Sequence, residues 1–192
     1  DCYAPSATFR ETMELCNEKF KAILGLSVLE GIYGEDPALL HRPLYSQAAI
    51  FSIEYALTKL WGSLGVKPAV VIGHSIGEYA AACYAGLIGL DDVILMIAQR
   101  GRMMESVDVE GKMVVILANV EYVREALAES GCRNVSIAAV NAPDNVTISG
   151  LNDEVDLVIE TLQKKHRVFF NKLNIPHPYH SSLMKKYERN PF

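Results

Sequence analysis

The sequence predicts an α/β fold in two parts, a larger one built around a parallel sheet and a smaller one inserted after it. Two observations carry this prediction. The run Ala69-Val70-Val71-Ile72 leads into Gly73-His74-Ser75-Ile76-Gly77 and then a helix of small residues, so the stretch reads as buried strand, sharp turn and helix. Beyond Gly111 the apolar pattern changes and reads β-α-β-β-α-β.

Size and composition are those of a globular chain. It has 192 residues, of which 50% are hydrophobic and 21% charged, enough for a sizeable core. The net charge of −5 argues against a nucleic-acid surface. Cys2, Cys16, Cys83 and Cys132 form neither a close pair nor a metal-type spacing, so reduced thiols and a cytoplasmic location are expected. No apolar run reaches the ~20 residues that cross a bilayer, so no membrane partner is expected.

In chain order, the first helix is expected from Ser6 to Ile23, with Phe9, Met13, Cys16 and Phe20 on one face and Gly25 as its stop. A loop containing Gly31, Gly34 and Pro37 follows. A second helix spans Leu44 to Trp61, entered at Pro43 and closed by Gly62. Ala80, Ala81, Ala82 and Ala85 make the helix after Ser75 slim enough to pack closely on a sheet. Leu90 to Met104 is the next helix, with Asp91 and Asp92 in its first turn. On a helical wheel Val93, Met96, Ile97, Met103 and Met104 fall within about 60° of Arg100, which places a guanidinium in the apolar stripe.

In the second part, strands are expected at Met113–Ala118, Asn134–Val140, Asn145–Ser149 and Arg167–Leu173. Helices are expected at Val120–Ser130 and Asn152–Lys165. That order is ferredoxin-like. The domain reading is a large subdomain over 1–110, a small one over 111–174, and a return to the large one over 175–192.

The chemistry rests on few residues. Gly73-His74-Ser75-Ile76-Gly77 matches Gly-x-Ser-x-Gly, the nucleophile elbow of α/β-hydrolase-like folds, where the serine occupies a strained turn and helix N–H groups point at a developing oxyanion. The bland alternative is an ordinary helix cap at Ser75. An activated serine needs an imidazole, and by residue type His180, His177 and His74 all compete. A metal pair from His177 and His180 has no third ligand nearby, so no metal is expected. Arg100 is half of a buried ion pair, a side chain snorkelling to the edge of the stripe, or the seat of an anionic ligand.

Taken together, Gly73-His74-Ser75-Ile76-Gly77-Glu78, Gln99-Arg100-Gly101-Arg102-Met103-Met104 and His177-Pro178-Tyr179-His180-Ser181 resemble the malonyl-CoA:acyl-carrier-protein transacylases, and more closely the acyltransferase domains of modular polyketide synthases. Leu40 to Gln47 and Val140 to Gly150 resemble that family's stretches too. The resemblance implies Ser75 as nucleophile, His180 as its base, an oxyanion donor at the Ile76 N–H and Arg100 on the malonyl carboxylate. It also implies Gln47 as a pocket-side glutamine. Substrates would be an acyl-CoA and an acyl carrier protein, carrying coenzyme A and phosphopantetheine, with no cofactor bound.

Ile76 and the segment His177 to His180 sit with the family's malonyl-type members, where a bulky Tyr179 would fill the space an α-methyl needs. Pro178 and Tyr179 depart from the usual pattern, which leaves a polar extender such as hydroxymalonyl open. The family begins with a strand and an oxyanion loop and continues past the Ser-Leu-Met stretch, so the chain is expected to be a piece trimmed at both ends. Two other readings stay open: a hydrolase that clears acyl carrier proteins, against which Arg100 argues, and an inactive structural or docking piece.

Overall fold

The computed structural model describes residues 2–188. The chain forms two compact units, Asp1–Ser106 and Val107–Phe192.

The first unit is helical. Helix α1 (Ala7–Leu24) is capped by the Ser6 hydroxyl, which accepts from the Phe9 N–H, and ends at Gly25 in the left-handed region. A short helix α2 (Val28–Tyr33) follows, capped by Ser27, and then a 3-10 turn over Pro37–His41 capped by Asp36. The expected loop is therefore mostly helical. Ser27 accepts from the Glu30 N–H, three residues on, which is half of a capping box that the nearby glycines and proline conceal. Helices α3 (Pro43–Ser63), α4 (Gly77–Tyr84) and α5 (Leu90–Glu105) complete the unit.

Helices α1, α3 and α5 pack on one another. Their core joins Phe20, Phe51, Tyr55, Val93, Ile94 and Ile97, with Phe51 edge-on to Phe20 and stacked on Tyr55 at 5.7 Å. Ile76 and Ala80 enter the same core and so anchor the turn at Ser75 to it.

Two expectations fail in this unit. Residues 69–72 were expected as a buried strand. They form no strand, and Val70 and Ile72 are 84% and 93% exposed. A strand is buried only by neighbours, and none of the strands among the described residues pairs with this segment. For the same reason the parallel sheet expected around the turn is not observed among the described residues.

The second unit carries one antiparallel sheet. Its strands are β1 (Lys112–Leu117), β2 (Val135–Ala142), β3 (Asn145–Gly150) and β4 (Phe169–Lys172), in the order β2-β3-β1-β4. Helices α6 (Val120–Ser130) and α7 (Asn152–Gln163) supply the crossovers, giving the element order read from the sequence. Val114 and Ile116 of β1 pair with Ile148 and Val146 of β3 and share a core with Val123, Val155, Val158 and Leu162. Residues 175–188 group with this unit. The Gly111 N–H donates to the Pro176 carbonyl, and the Asp108 N–H donates to the Tyr187 hydroxyl.

The α6–β2 connection is tied by Glu154. Its carboxylate accepts from the Arg133 and Asn134 N–H groups, each at 2.9 Å, and from the Asn134 side-chain amide at 2.6 Å. These bonds, the Asn134 side chain foremost, hold the carboxyl below its ordinary value.

Two outcomes are expected. Phe51→Ala lowers the unfolding free energy of the first unit by about 3–5 kcal/mol, measured by urea titration. Glu154 has a folded pKa below its unfolded one, so its contribution is complete above pH ~4.3 and is lost as pH falls through the lower folded value. Glu154→Gln is therefore less stable than the parent at pH 6, and the gap closes on acidification; urea midpoints between pH 3 and 6 check this.

Candidate active site

The turn at Ser75 is fixed by sterics. Ser75 has φ 53°, in the left-handed region that non-glycine residues rarely occupy. A Cβ on Gly73 would sit 2.2 Å from the Glu78 nitrogen and from the Gly77 carbonyl carbon, so only glycine fits there. Hydrogen bonds from Gly77 N–H to His74 O and from Glu78 N–H to Ser75 O close the turn. The Ile76 N–H, on the same turn, has no acceptor among the described residues. The Ile76 side chain is buried in the core, so its backbone is held in place.

Arg100 meets this turn. Its Nη2 donates to Ser75 Oγ at 3.1 Å, and its guanidinium lies over the Tyr79 ring, 5.8 Å from the centroid. Its Nε is buried without an acceptor. No ion pair neutralises it among the described residues, whereas Arg42, also over a tyrosine ring, holds Glu105 with two hydrogen bonds. Arg100 is half-buried at the edge of the helix stripe rather than at its centre. The buried line of α5 runs through Ile94, Ile97, Ala98 and Gly101, and Met96 is exposed. Gly101 sets this rotation, because a Cβ there would lie 3.1 Å from Leu44 Cα, so α5 crosses the start of α3 at close range.

Two further side-chain oxygens on α3 lack a partner among the described residues. Gln47 is buried and its Oε1 has no donor. Glu54, two turns on, has a buried Oε2 without a partner, and its Oε1 lies 3.4 Å from where a Cβ on Gly77 would be. Burial pushes the Glu54 carboxyl up. Sequence reading missed Glu54, since a lone Glu in a helix carries no signal of burial. It lines a concavity of about 790 Å³ with Val71, Ile72, His74, Ala81 and Tyr84. Neither Ser75 nor Arg100 lines that concavity.

The histidine segment lies in the second unit. His180 has φ 59°, and it and Ser75 are the two non-glycine residues at positive φ among the described residues. His177 Nδ1 pairs with the Val109 carbonyl at 3.0 Å, and its ring lies 5.7 Å from that of Tyr179. Tyr179 and Ser181 are buried; the Ser181 hydroxyl donates to the Pro178 carbonyl at 2.6 Å. Among the described residues no three His, Cys, Asp or Glu side chains group in a way that could hold a metal ion. No described helix is long and apolar enough to cross a membrane.

Comparison with known proteins identifies the family. Residues 1–190 match the model of the acyl transferase domain. The chain belongs to the acyl transferase domain family. It is 38% identical over 164 residues to the PKS-NRPS hybrid synthetase ATPKS of Aspergillus niger and 40% identical over 155 residues to the mycoketide-CoA synthase of Mycobacterium tuberculosis. Those alignments cover 83% and 81% of the chain, and 9% and 4% of the two synthases.

Among solved structures, it is similar to the acyltransferase domain from the second module of the salinomycin polyketide synthase, with TM-score 0.86, 36% identity and coverage of 96% of this chain and 42% of that one. It is also similar to MCAT from Streptococcus pneumoniae, with TM-score 0.85, 28% identity and coverage of 100% and 62%. These neighbours share its α/β fold.

One outcome follows from Glu54. Its folded pKa lies above its unfolded one, so its contribution is favourable below the unfolded carboxyl value and declines as pH rises through the folded value. Glu54→Gln is expected to raise the melting temperature at pH 7 and to leave it near the parent's at pH 4, read by scanning calorimetry.

Proposed function

We propose that this chain is the nucleophile-bearing part of an acyltransferase that moves a malonyl-type unit from coenzyme A to the phosphopantetheine thiol of an acyl carrier protein. The observation that carries the reading is Arg100, half-buried, without a carboxylate partner among the described residues, and bonded to the hydroxyl of a serine in strained geometry. In malonyl thioesters one CH₂ separates the reacting carbonyl from the free carboxylate. A guanidinium one hydrogen bond from the nucleophile suits that length, and its bidentate edge suits that anion.

In the proposed reaction Ser75 Oγ attacks the thioester carbon while His180 takes its proton. The Ile76 N–H stabilises the oxyanion. The carbon–sulfur bond breaks, coenzyme A leaves as a thiol with the proton from His180, and the acyl-serine ester remains. The phosphopantetheine thiol then gives its proton to His180, attacks the ester and returns the hydroxyl to Ser75. Backbone strain at both Ser75 and His180 supports this assignment, since such strain collects where side chains must be aimed. Gln47, with a spare acceptor, and His177 and Tyr179 would shape the acyl pocket. A cytoplasmic setting and a role in polyketide or fatty acid assembly complete the reading. The Streptococcus pneumoniae MCAT and the salinomycin domain are the solved relatives that favour it.

The test is intact-protein mass after mixing the full-length protein with malonyl-CoA. A malonyl adduct is expected on the parent and none on Ser75→Ala. Arg100→Ala is expected to lower the ratio of malonyl to acetyl labelling by about 10–100-fold, as loss of a charged hydrogen-bonded pair implies. An adduct that survives Ser75→Ala overturns the mechanism. An unchanged ratio overturns the role of Arg100 and favours a hydrolase reading.

A further inference from the structure

We propose that Tyr79 is a positioning residue that holds the Arg100 guanidinium by its ring face and thereby sets the preference for acyl groups ending in a carboxylate. This rests on the malonyl-type reading above and adds to it the means by which the arginine is kept available.

A half-buried guanidinium is stable only if something stabilises its charge. Elsewhere in this chain a carboxylate does so: Asp91 holds Lys19, Asp156 holds Lys112 and Glu105 holds Arg42. A carboxylate beside Arg100 would occupy the edge that an acyl carboxylate needs and would cancel its charge. An aromatic face does neither. It attracts the cation through its quadrupole and leaves the N–H edge open.

The geometry fits that division of labour. Tyr79 lies on α4 one turn beyond Ser75, half-buried against the core that also holds Ile76 and Ala80. The guanidinium carbon is 5.8 Å from its ring centroid, within cation–π range. On the edge side, Nη2 reaches Ser75 Oγ and Nε has no acceptor. Arg42 supplies the internal contrast, since it has both a tyrosine face, Tyr45 at 5.5 Å, and a carboxylate, and so has no open edge for an anion.

The experiment measures the ratio of malonyl to acetyl labelling of Ser75 in the full-length protein, with Tyr79 as parent, Phe, Leu and trifluorophenylalanine. The fluorinated ring keeps the aromatic shape and weakens the ring face, so it answers the question even where Tyr79→Leu fails to fold. Tyr79→Phe is expected to keep the parental ratio. Tyr79→Leu and the trifluorophenylalanine variant are expected to lower it by roughly 2–30-fold, the range of a cation–π contact. A trifluorophenylalanine variant with the parental ratio overturns the proposal, as does a Tyr79→Phe variant that loses as much as Leu. Those failures are told from failure of the underlying reading by the parent: no label on Ser75, or label without preference for malonyl, removes that reading and this proposal with it.

Discussion

The constraint on which the site depends is the lack of room at Gly73. A Cβ there would lie 2.2–2.3 Å from the Gly77 carbonyl and the Glu78 amide, so glycine alone permits the tight turn in which Ser75 takes the left-handed conformation. Such a conformation persists only where its surroundings over-determine it. Here the surroundings are Ile76 and Ala80, sunk into the core of Phe51, Tyr55 and Ile97. The serine is therefore aimed by backbone and packing.

The arginine reaches the same place by a similar economy. Gly101 lets α5 approach Leu44, and that contact turns Arg100 to the rim of the helix. There its Nη2 reaches the serine hydroxyl. Glycines at two close approaches, Gly73 in the turn and Gly101 on α5, thus bring a hydroxyl from the turn and a cation from the helix within one hydrogen bond.

Much of this was legible in the sequence where local chemistry decides. Ser6 and Gly25 bound α1, and Gly131 closes α6, because caps act over a few residues. The element order of the second unit was legible for the same reason. Burial was not. Val70, Val71 and Ile72 have the composition of an inner strand, but composition cannot say which chain lies alongside, and among the described residues none does. The wheel counted Met96 as core because it is apolar, whereas the true contact line follows the small Ala98 and Gly101. Glu54 was invisible, since its burial comes from α4 and not from its own neighbours in sequence. Short helix α2 hid behind glycines that suggested a loop.

The bare stretch before the turn has a handling consequence. Three adjacent exposed β-branched side chains with no charge among them form an adhesive apolar patch. Any apolar surface that meets it in a concentrated solution gains contact area. Soluble preparations of this polypeptide thus call for a gatekeeping charge such as Val70→Lys, dilute refolding, or co-expression with a polypeptide that shields that patch.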